Sequence, residues 1–244
     1  MRINEIIFNV VKSKDEDKAI IDIDGQIGEY ADWSTYSINA ENTNKGFKAQ
    51  LAEIGDVDEI TININSLGGS VFHGISIHDI LKEHPAKKIV NIKGYTASIA
   101  TVIAMVGDKI NMSSNAMFLI HRAQMFGDGN ANDMRAVLKN LETVDNSLID
   151  IYRKRTKIPK DEIIELIDQN NGHGLWINST EAKRRGFVDE VFEPGKTSKK
   201  ANVKALLENP MFMNSATPRP ELENEVSDDE VIALIKQKLD EEGF

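Results

Sequence analysis

Cysteine is absent from the 244 residues of the sequence. Without thiols the chain can form no disulfide, use no thiolate nucleophile and offer no cysteine ligand to zinc. Long apolar runs are also missing, since the longest, residues 97–106, is about half the length of a membrane span. Residues 1–11 lack the basic start and the small-residue cleavage site of a signal peptide. We therefore expect a cytoplasmic protein with no membrane partner.

A surplus of positive charge is missing too. The formal net charge is −10, whereas binding of nucleic-acid phosphates requires a basic face. We therefore expect no nucleic-acid partner. Hydrophobic residues make up 41% of the chain and charged residues 28%, which is typical of a globular protein and sufficient for a sizeable core.

Proline is scarce in most of the chain and is concentrated after residue 193. Four of the six prolines lie there, among Lys, Ser, Asn and Thr, as is typical of a linker or a loosely ordered tail. A capping box that begins at Ser227 precedes a short amphipathic stretch, which could dock on its own domain or bind a partner's groove. The composition predicts a domain over residues 1–193 and a tail over residues 194–244, with a helix near residues 228–242.

Strand and helix patterns alternate along the first domain. Period-two alternation of apolar residues predicts strands, and apolar residues at three-and-four spacing predict helices. The predicted strands are residues 19–25, 57–65, 88–93, 116–121 and 187–192. The predicted helices are residues 70–83, 98–106, 131–156, 160–169 and 179–185. Such alternation predicts an α/β fold with parallel strand pairing. The helix over residues 131–156 exceeds the average of about eleven to twelve residues, so we expect it to project from the domain or line an interface.

Two short segments each place a reactive side chain at the edge of an apolar element. In residues 94–100 a glycine turn leads to Ser98 at the start of a helix, and in residues 117–121 a strand ends at His121. A serine and a histidine in these positions are the parts of a nucleophile–base pair. Taken singly, Ser98 is better explained as a helix N-cap, and His121 as a structural histidine.

A double glycine marks a third segment, residues 64–70, in which a strand ends at Gly68 and Gly69 and a helix follows. Glycines permit positive φ and let backbone N–H groups approach a ligand closely. A phosphate loop is disfavoured because the Gly-x-x-x-x-Gly-Lys-Ser/Thr signature is missing. An oxyanion hole beside an attacking serine fits better. The remaining histidines lack metal-ligand spacing, so we expect no metal and no cofactor.

Taken together, these segments resemble the ClpP-type serine proteases, in particular the shorter ClpP-like head-maturation (prohead) proteases of tailed phages. The resemblance spans residues 18–193 and follows four motifs in the family's order. They are Ile64-Asn65-Ser66-x-Gly68-Gly69, Gly94-x-x-Ala97-Ser98, Ile120-His121 and Ser179-x-Glu181-Ala182-x-x-x-Gly186-Phe187-Val188-Asp189. The resemblance implies the ββα spiral shared with crotonases. It also implies that the helix over residues 131–156 is the family's handle, which mediates contacts between stacked rings.

The resemblance also implies roles for single residues. Ser98 would be the nucleophile, and His121 would be the general base and then the acid that protonates the leaving amine. The backbone N–H groups of Gly69 and Ile99 would bind the tetrahedral oxyanion.

One departure from the family concerns the acid that orients the histidine. The family places it two residues before an aromatic residue, and that position, counted back from Trp176, is Gly174. Loss of the acid can lower the rate about ten-thousand-fold. Either Asp168 or Asn171 substitutes for it, or the site is a Ser–His dyad, or the enzyme is weak.

Three functions stay open on this basis. The first is a serine endopeptidase that cleaves phage capsid or scaffolding proteins during head maturation, in the host cytoplasm or the prohead. The second is the proteolytic subunit of an ATP-dependent Clp-type protease fed by an AAA+ unfoldase. The third is a catalytically weak or inactive ClpP-like assembly scaffold. A crotonase-type enzyme, which shares the fold, ranks behind these three because it needs no serine–histidine pair. The resemblance implies a homo-oligomeric ring, single or stacked in pairs.

Overall fold

The computed structural model describes most of the predicted domain. The described residues are 8–12, 17–28, 30–32, 37–39 and 43–195. The predicted tail and its amphipathic helix lie outside these residues, apart from the first two positions of the tail.

Strands and helices alternate along the described chain. The strands are β1 (Phe8–Lys12), β2 (Lys18–Ile27), β3 (Tyr30–Asp32), β4 (Ser37–Asn39), β5 (Glu59–Gly69), β6 (Lys87–Ala97), β7 (Lys109–Ser113), β8 (Met117–Leu119), β9 (Ile177–Asn178) and β10 (Glu190–Phe192). The helices are α1 (Asn44–Ile54), α2 (Val71–Glu83), α3 (Ile99–Ala104), α4 (Ala131–Thr156), α5 (Lys160–Asp168) and α6 (Ser179–Arg184).

Eight of these strands form one sheet in the order β1-β2-β5-β6-β7-β10, and β8 joins it through β6 and carries β9. The central pairings are parallel, whereas β1 and β9 pair antiparallel with their neighbours. The strands β3 and β4 form a separate antiparallel pair. The predicted α/β class with parallel pairing is confirmed.

Each central strand has one apolar and one polar face. In β5 the side chains of Ile60, Ile62 and Ile64 are fully buried, and the polar residues between them are half-buried. This period-two pattern matches the alternation read from the sequence. The isoleucines pack with helix residues into the core, which lies between the sheet and the helices α2 and α3.

The polar face carries a ladder of side-chain hydrogen bonds across four neighbouring strands. The amide of Asn63 donates to Asp22 at 2.7 Å, that of Asn91 to Asn63 at 3.2 Å, and that of Asn111 to Asn91 at 3.0 Å. The four residues are directly paired across the sheet. Because cross-strand pairs favour one alignment, the ladder helps to set the register of β2, β5, β6 and β7.

The strand β6 runs further than the sequence pattern predicts. The strand predicted over residues 88–93 continues to Ala97, so the expectation that Gly94 ends it is wrong. The glycine adopts a φ of 68°, and the register against β5 shifts before Ser66 pairs with Thr96. Beyond this bend β6 pairs with β8, which brings the end of β6 beside the segment that leads to the predicted histidine.

The long helix α4 has the bounds predicted from its apolar stripe. A capping box formed by Asn130 and Asp133 starts it, and a left-handed Lys157 ends it. Its second half is anchored in the core, whereas Met134 and Leu138 in its first half are exposed. Neither this helix nor any other described one is apolar over a stretch long enough to cross a membrane.

Candidate active site

Ser98 stands between the end of β6 and the start of α3, with φ 56° and ψ −133°. A positive φ is uncommon for a residue with a Cβ. The N–H of Ser98 donates to the carbonyl of Leu119 in β8 at 2.9 Å, which holds the bend in place. The residue occupies the N-cap position of α3, yet its side chain makes no capping hydrogen bond. The explanation of Ser98 as a capping serine therefore fails, and its hydroxyl is not committed to the helix.

Gly68 lies directly against Ser98. A Cβ added to Gly68 would lie 2.8 Å from the Cβ of Ser98 and 3.1 Å from the backbone nitrogen of Ile99. Both glycines of the pair have positive φ, 94° at Gly68 and 148° at Gly69. A side chain at Gly69 would clash with the carbonyl of Ile27 in β2. The glycines are required because three backbone segments converge here.

The N–H groups around this turn differ in whether they already donate a hydrogen bond. That of Gly68 donates to Ser66 Oγ at 3.0 Å, and the hydroxyl of Ser66 donates to the carbonyl of Gly25 at 2.5 Å. The N–H of Ile99 is the first of α3, and the first N–H groups of a helix have no intrahelical acceptor. Of the predicted pair of oxyanion donors, Ile99 directly follows Ser98 in the chain, and the oxyanion roles of Ile99 and Gly69 stay predictions.

His121 follows the end of β8 by two residues and is half-buried. Burial lowers the pKa of His121, and the neighbouring His173 acts in the same direction. A hydrogen bond at the backbone of Arg122 and the charge of Asp145 partly oppose this shift. The imidazole is therefore neutral at pH 7, which is the form a general base requires.

Among the described residues, the Nδ1 atom of His121 is buried without a hydrogen-bond partner. Gly174, at the family's acid position, lies beside His121. A Cβ added to Gly174 would be 3.2 Å from the Cβ of His121 and would clash with the carbonyl of Ile120. Gly174 also has a φ of 70°. The carbonyl of Ile120 thus occupies the place that the Cβ of an acid at position 174 would need.

The two predicted substitutes for that acid are placed differently. Asp168 is clamped by Arg122, which contacts it through Nε and donates from Nη2 to Oδ2 at 2.9 Å. This contact lowers the pKa of Asp168. Asn171 is exposed, with a φ of 55°. Within the part of the chain that the structure describes, neither side chain is hydrogen-bonded to His121, so a role for either stays a prediction.

Sequence reasoning missed Asp145, a carboxylate in α4 that is only 5% exposed. It accepts from Nη1 of Arg122 at 2.9 Å and from the N–H of Ala123 at 2.8 Å. These bonds tie the segment after His121 to α4. A signal was available, because Asp145 adjoins the apolar stripe of its helix, and buried carboxylates are rare unless paired.

Across the described ranges, no group of three or more His, Cys, Asp or Glu side chains is arranged to hold a metal ion. The chemistry available is that of a serine hydroxyl, a neutral imidazole and backbone N–H groups.

Comparison with known proteins agrees with this chemistry. The family model described as Clp protease matches residues 34–195. The ATP-dependent Clp protease proteolytic subunit of Deinococcus radiodurans is 27% identical over 137 residues, which are 55% of this chain and 65% of that protein, just under two thirds of its length. The same subunit of Bacteroides fragilis is 28% identical over 154 residues, 61% of this chain and 72% of that protein. Proteolytic subunit 3 of Rhodococcus jostii is 29% identical over 144 residues, 58% of this chain and 69% of that protein. Because the family model spans more than half of the sequence, the chain belongs to the Clp protease family, whose members are peptidases of the serine type.

Proposed function

We propose that this chain is a serine endopeptidase whose reaction is carried by a dyad of Ser98 and His121. The observation that carries the proposal is the environment of Ser98. Its hydroxyl makes no capping hydrogen bond to the helix, its φ is positive, and Gly68 packs directly against it. A non-glycine residue held in a sparsely populated φ/ψ region costs about 1–3 kcal/mol, and such strain concentrates at functional sites.

The proposed reaction passes the hydroxyl proton of Ser98 through His121 to the leaving amine. Ser98 Oγ attacks the scissile carbonyl carbon while Nε2 of His121 removes its proton. The oxyanion forms next to the N–H of Ile99, with that of Gly69 as the second donor. His121 then returns the proton to the leaving amine, and water, activated by the same imidazole, hydrolyses the acyl-enzyme.

The histidine half of the dyad depends on the tautomer of His121. Nε2 can accept the proton only in the tautomer that carries hydrogen on Nδ1, and an acceptor on Nδ1 normally selects that tautomer. With Nδ1 unpartnered among the described residues, no acceptor selects that tautomer, and the backbone of Arg122 and the charge of Asp145 only partly offset the burial that disfavours the imidazolium. We therefore expect slow turnover.

The proposed substrate is a capsid or scaffolding protein of a tailed phage, cleaved during head maturation. Support comes from the resemblance of the four motifs to those of prohead proteases and from the long tail beyond the matched residues 34–195. A substrate that is already concentrated at the assembly site tolerates a slow protease. The exposed Met134 and Leu138 of α4 support assembly into a homo-oligomeric ring.

A second candidate is favoured by the names of the relatives, which are subunits of ATP-dependent Clp proteases. In that role an AAA+ unfoldase would deliver the substrate. Degradation of an unfolded test protein that starts only when an AAA+ ATPase and ATP are added would favour this candidate over head maturation.

Labelling with a fluorophosphonate probe tests the dyad. We expect slow but measurable labelling of the wild type, none of Ser98→Ala and strongly reduced labelling of His121→Ala. Ser70→Ala is the matched control, because Ser70 also starts a helix without a side-chain cap but has an ordinary φ of −66°. Equal labelling of wild type and Ser98→Ala would reject the proposed nucleophile and leave an assembly scaffold as the better explanation.

Co-expression with phage structural proteins tests the substrate. We expect specific cleavage of a capsid or scaffolding protein that is lost with Ser98→Ala and kept with Ser70→Ala. Processing that continues unchanged with Ser98→Ala would contradict the proposed role.

A further inference from the structure

A buried tyrosine of the long helix is linked to the backbone of the proposed nucleophile. The hydroxyl of Tyr152 in α4 lies 2.7 Å from Oγ1 of Thr101 in α3. Oγ1 of Thr101 in turn donates to the carbonyl of Ser98 at 2.5 Å. Tyr152 is only 3% exposed and Thr101 is fully buried. The dyad chemistry uses neither side chain.

Counting protons gives this chain of bonds a direction. A carbonyl oxygen can only accept, so the single hydroxyl proton of Thr101 is committed to Ser98. The O–H of Tyr152 must therefore donate to Thr101. Burial raises the pKa of Tyr152, so its phenol stays protonated at every pH at which the protein would work. Hydrogen bonds aligned in one direction polarise one another.

The carbonyl of Ser98 belongs to the same peptide unit as the N–H of Ile99. A peptide unit is planar, and its C=O and N–H point in opposite directions. Fixing the carbonyl therefore fixes where the N–H points. The carbonyl accepts from the N–H of Thr101 at 3.0 Å as well as from its hydroxyl, and these two bonds determine ψ of Ser98.

We propose that Tyr152 and Thr101 are positioning residues, which hold the Ser98–Ile99 peptide so that the N–H of Ile99 faces the developing oxyanion. This inference rests on the proposed serine peptidase chemistry. It makes α4 part of the catalytic apparatus, although none of its side chains touches the reacting atoms.

The surroundings of Tyr152 permit a clean test. Its ring packs edge-on against Phe187 at 6.0 Å, and Phe187 packs against Phe118 of β8 at 5.2 Å. Tyr152→Phe keeps these aromatic contacts and removes only the hydroxyl. Thr101→Val removes the hydroxyl at nearly constant volume, and Thr101→Ser restores it.

The experiment measures fluorophosphonate labelling of the full chain and separates the maximal rate, kinact, from the half-saturating concentration, KI. Loss of a whole oxyanion donor costs about 10²–10³ in rate, and a loosened donor costs less. We expect kinact to fall about tenfold in Tyr152→Phe and about thirtyfold in Thr101→Val, with KI unchanged. Thr101→Ser should recover most of the rate. The double variant should be no slower than Thr101→Val, because both changes break one chain of bonds.

Thr143→Val is the matched control, since Thr143 is exposed on α4 and donates only to the carbonyl of Lys139. Thermal unfolding is measured in parallel. Lower unfolding midpoints with unchanged kinact would show a purely structural role and overturn the inference, as would an effect on KI alone. If Thr101→Val does not fold, Tyr152→Phe decides the matter by itself.

A wild type that labels no faster than Ser98→Ala rejects the proposed function and this inference together. A reactive wild type matched by Tyr152→Phe rejects this inference alone.

Discussion

The two halves of the candidate site differ in how firmly they are held. At the serine, the N–H bonds to β8, the carbonyl bonds to Thr101, and Gly68 packs against the side chain. At the histidine, a buried Nδ1 has no partner among the described residues. In serine proteases an oxyanion hole and binding alone retain about 10³–10⁴-fold catalysis over water after a triad member is lost. The difference teaches that, under the proposed mechanism, the serine and oxyanion side is the preorganised part of the site, and we expect the base to limit the rate.

Crowding the serine side should have the largest effect. Gly68→Ala places a methyl group 2.8 Å from the Cβ of Ser98 and 3.1 Å from the nitrogen of Ile99. We expect labelling by a fluorophosphonate to slow about 100-fold, the size of a lost oxyanion donor. Gly55→Ala is the control, because Gly55 also has positive φ, 59°, but has no described atom within 4 Å of an added Cβ. A comparable loss in both variants would show that backbone strain, and not crowding, is responsible.

Adding an acid at position 174, where the family has one, should not increase the activity. Gly174→Asp would place a side chain on a residue whose φ is 70°, and the Cβ of that side chain would clash with the carbonyl of Ile120. We expect activity to fall about tenfold as the loop shifts. Gly172→Asp adds the same charge at a similar φ, 82°, with only ordinary contacts to Arg122. Faster turnover in Gly174→Asp than in wild type would show that the loop adapts and that only the carboxylate is missing.

The pH dependence should report the state of His121. The base works only when it is neutral, and the pKa of His121 is lowered from its ordinary 6.5. As the pH falls, activity should therefore persist below 6.5 and decline only once the lowered pKa is passed. His173→Asn removes one of the causes of the shift, so its acid limb should move toward higher pH. An acid limb above pH 6.5 in the wild type would contradict the assignment of His121 as the base.

The smallest effect is expected at Asp168. Its carboxylate is paired with Arg122 in an exposed contact, and exposed ion pairs contribute about 0–1 kcal/mol. Asp168→Asn should leave the labelling rate within about threefold of wild type, whereas loss of a true third member costs about ten-thousand-fold. Asp145→Asn serves for comparison, since this buried carboxylate should affect the free energy of unfolding more. A large loss of rate in Asp168→Asn alone would make Asp168 the missing acid.

Much of the fold was accessible from local patterns. The helix α4 was predicted with the observed bounds, because 26 residues contain enough turns for an apolar stripe to stand out. The strand β7 was missed, since its five residues, Lys109–Ser113, give too short a window for periodicity. The helix α1 was missed as well, and β6 was ended too early at Gly94 because a glycine inside a strand looks like its end.

Contacts between distant segments were not accessible in this way. Gly68 meets Ser98 only because β5 and β6 are parallel neighbours with a shifted register. The guanidinium of Arg122 donates to Asp145 of α4 and to Asp168 at the end of α5, and so joins the two helices. No spacing along the chain predicts either contact, because loop lengths and strand order decide which segments meet.

The sequence by itself determined which chemical groups are available: no thiol, a serine before an apolar run, a histidine after one, a double glycine and no acid in the five residues before Trp176. The tertiary structure decided how those groups can act. It holds Ser98 at φ 56° without a side-chain cap on the helix, and it sets the carbonyl of Ile120 where the Cβ of an acid at position 174 would lie. The physical reason is that residue types are local, whereas backbone strain, burial and hydrogen-bond satisfaction depend on which distant segments are packed together.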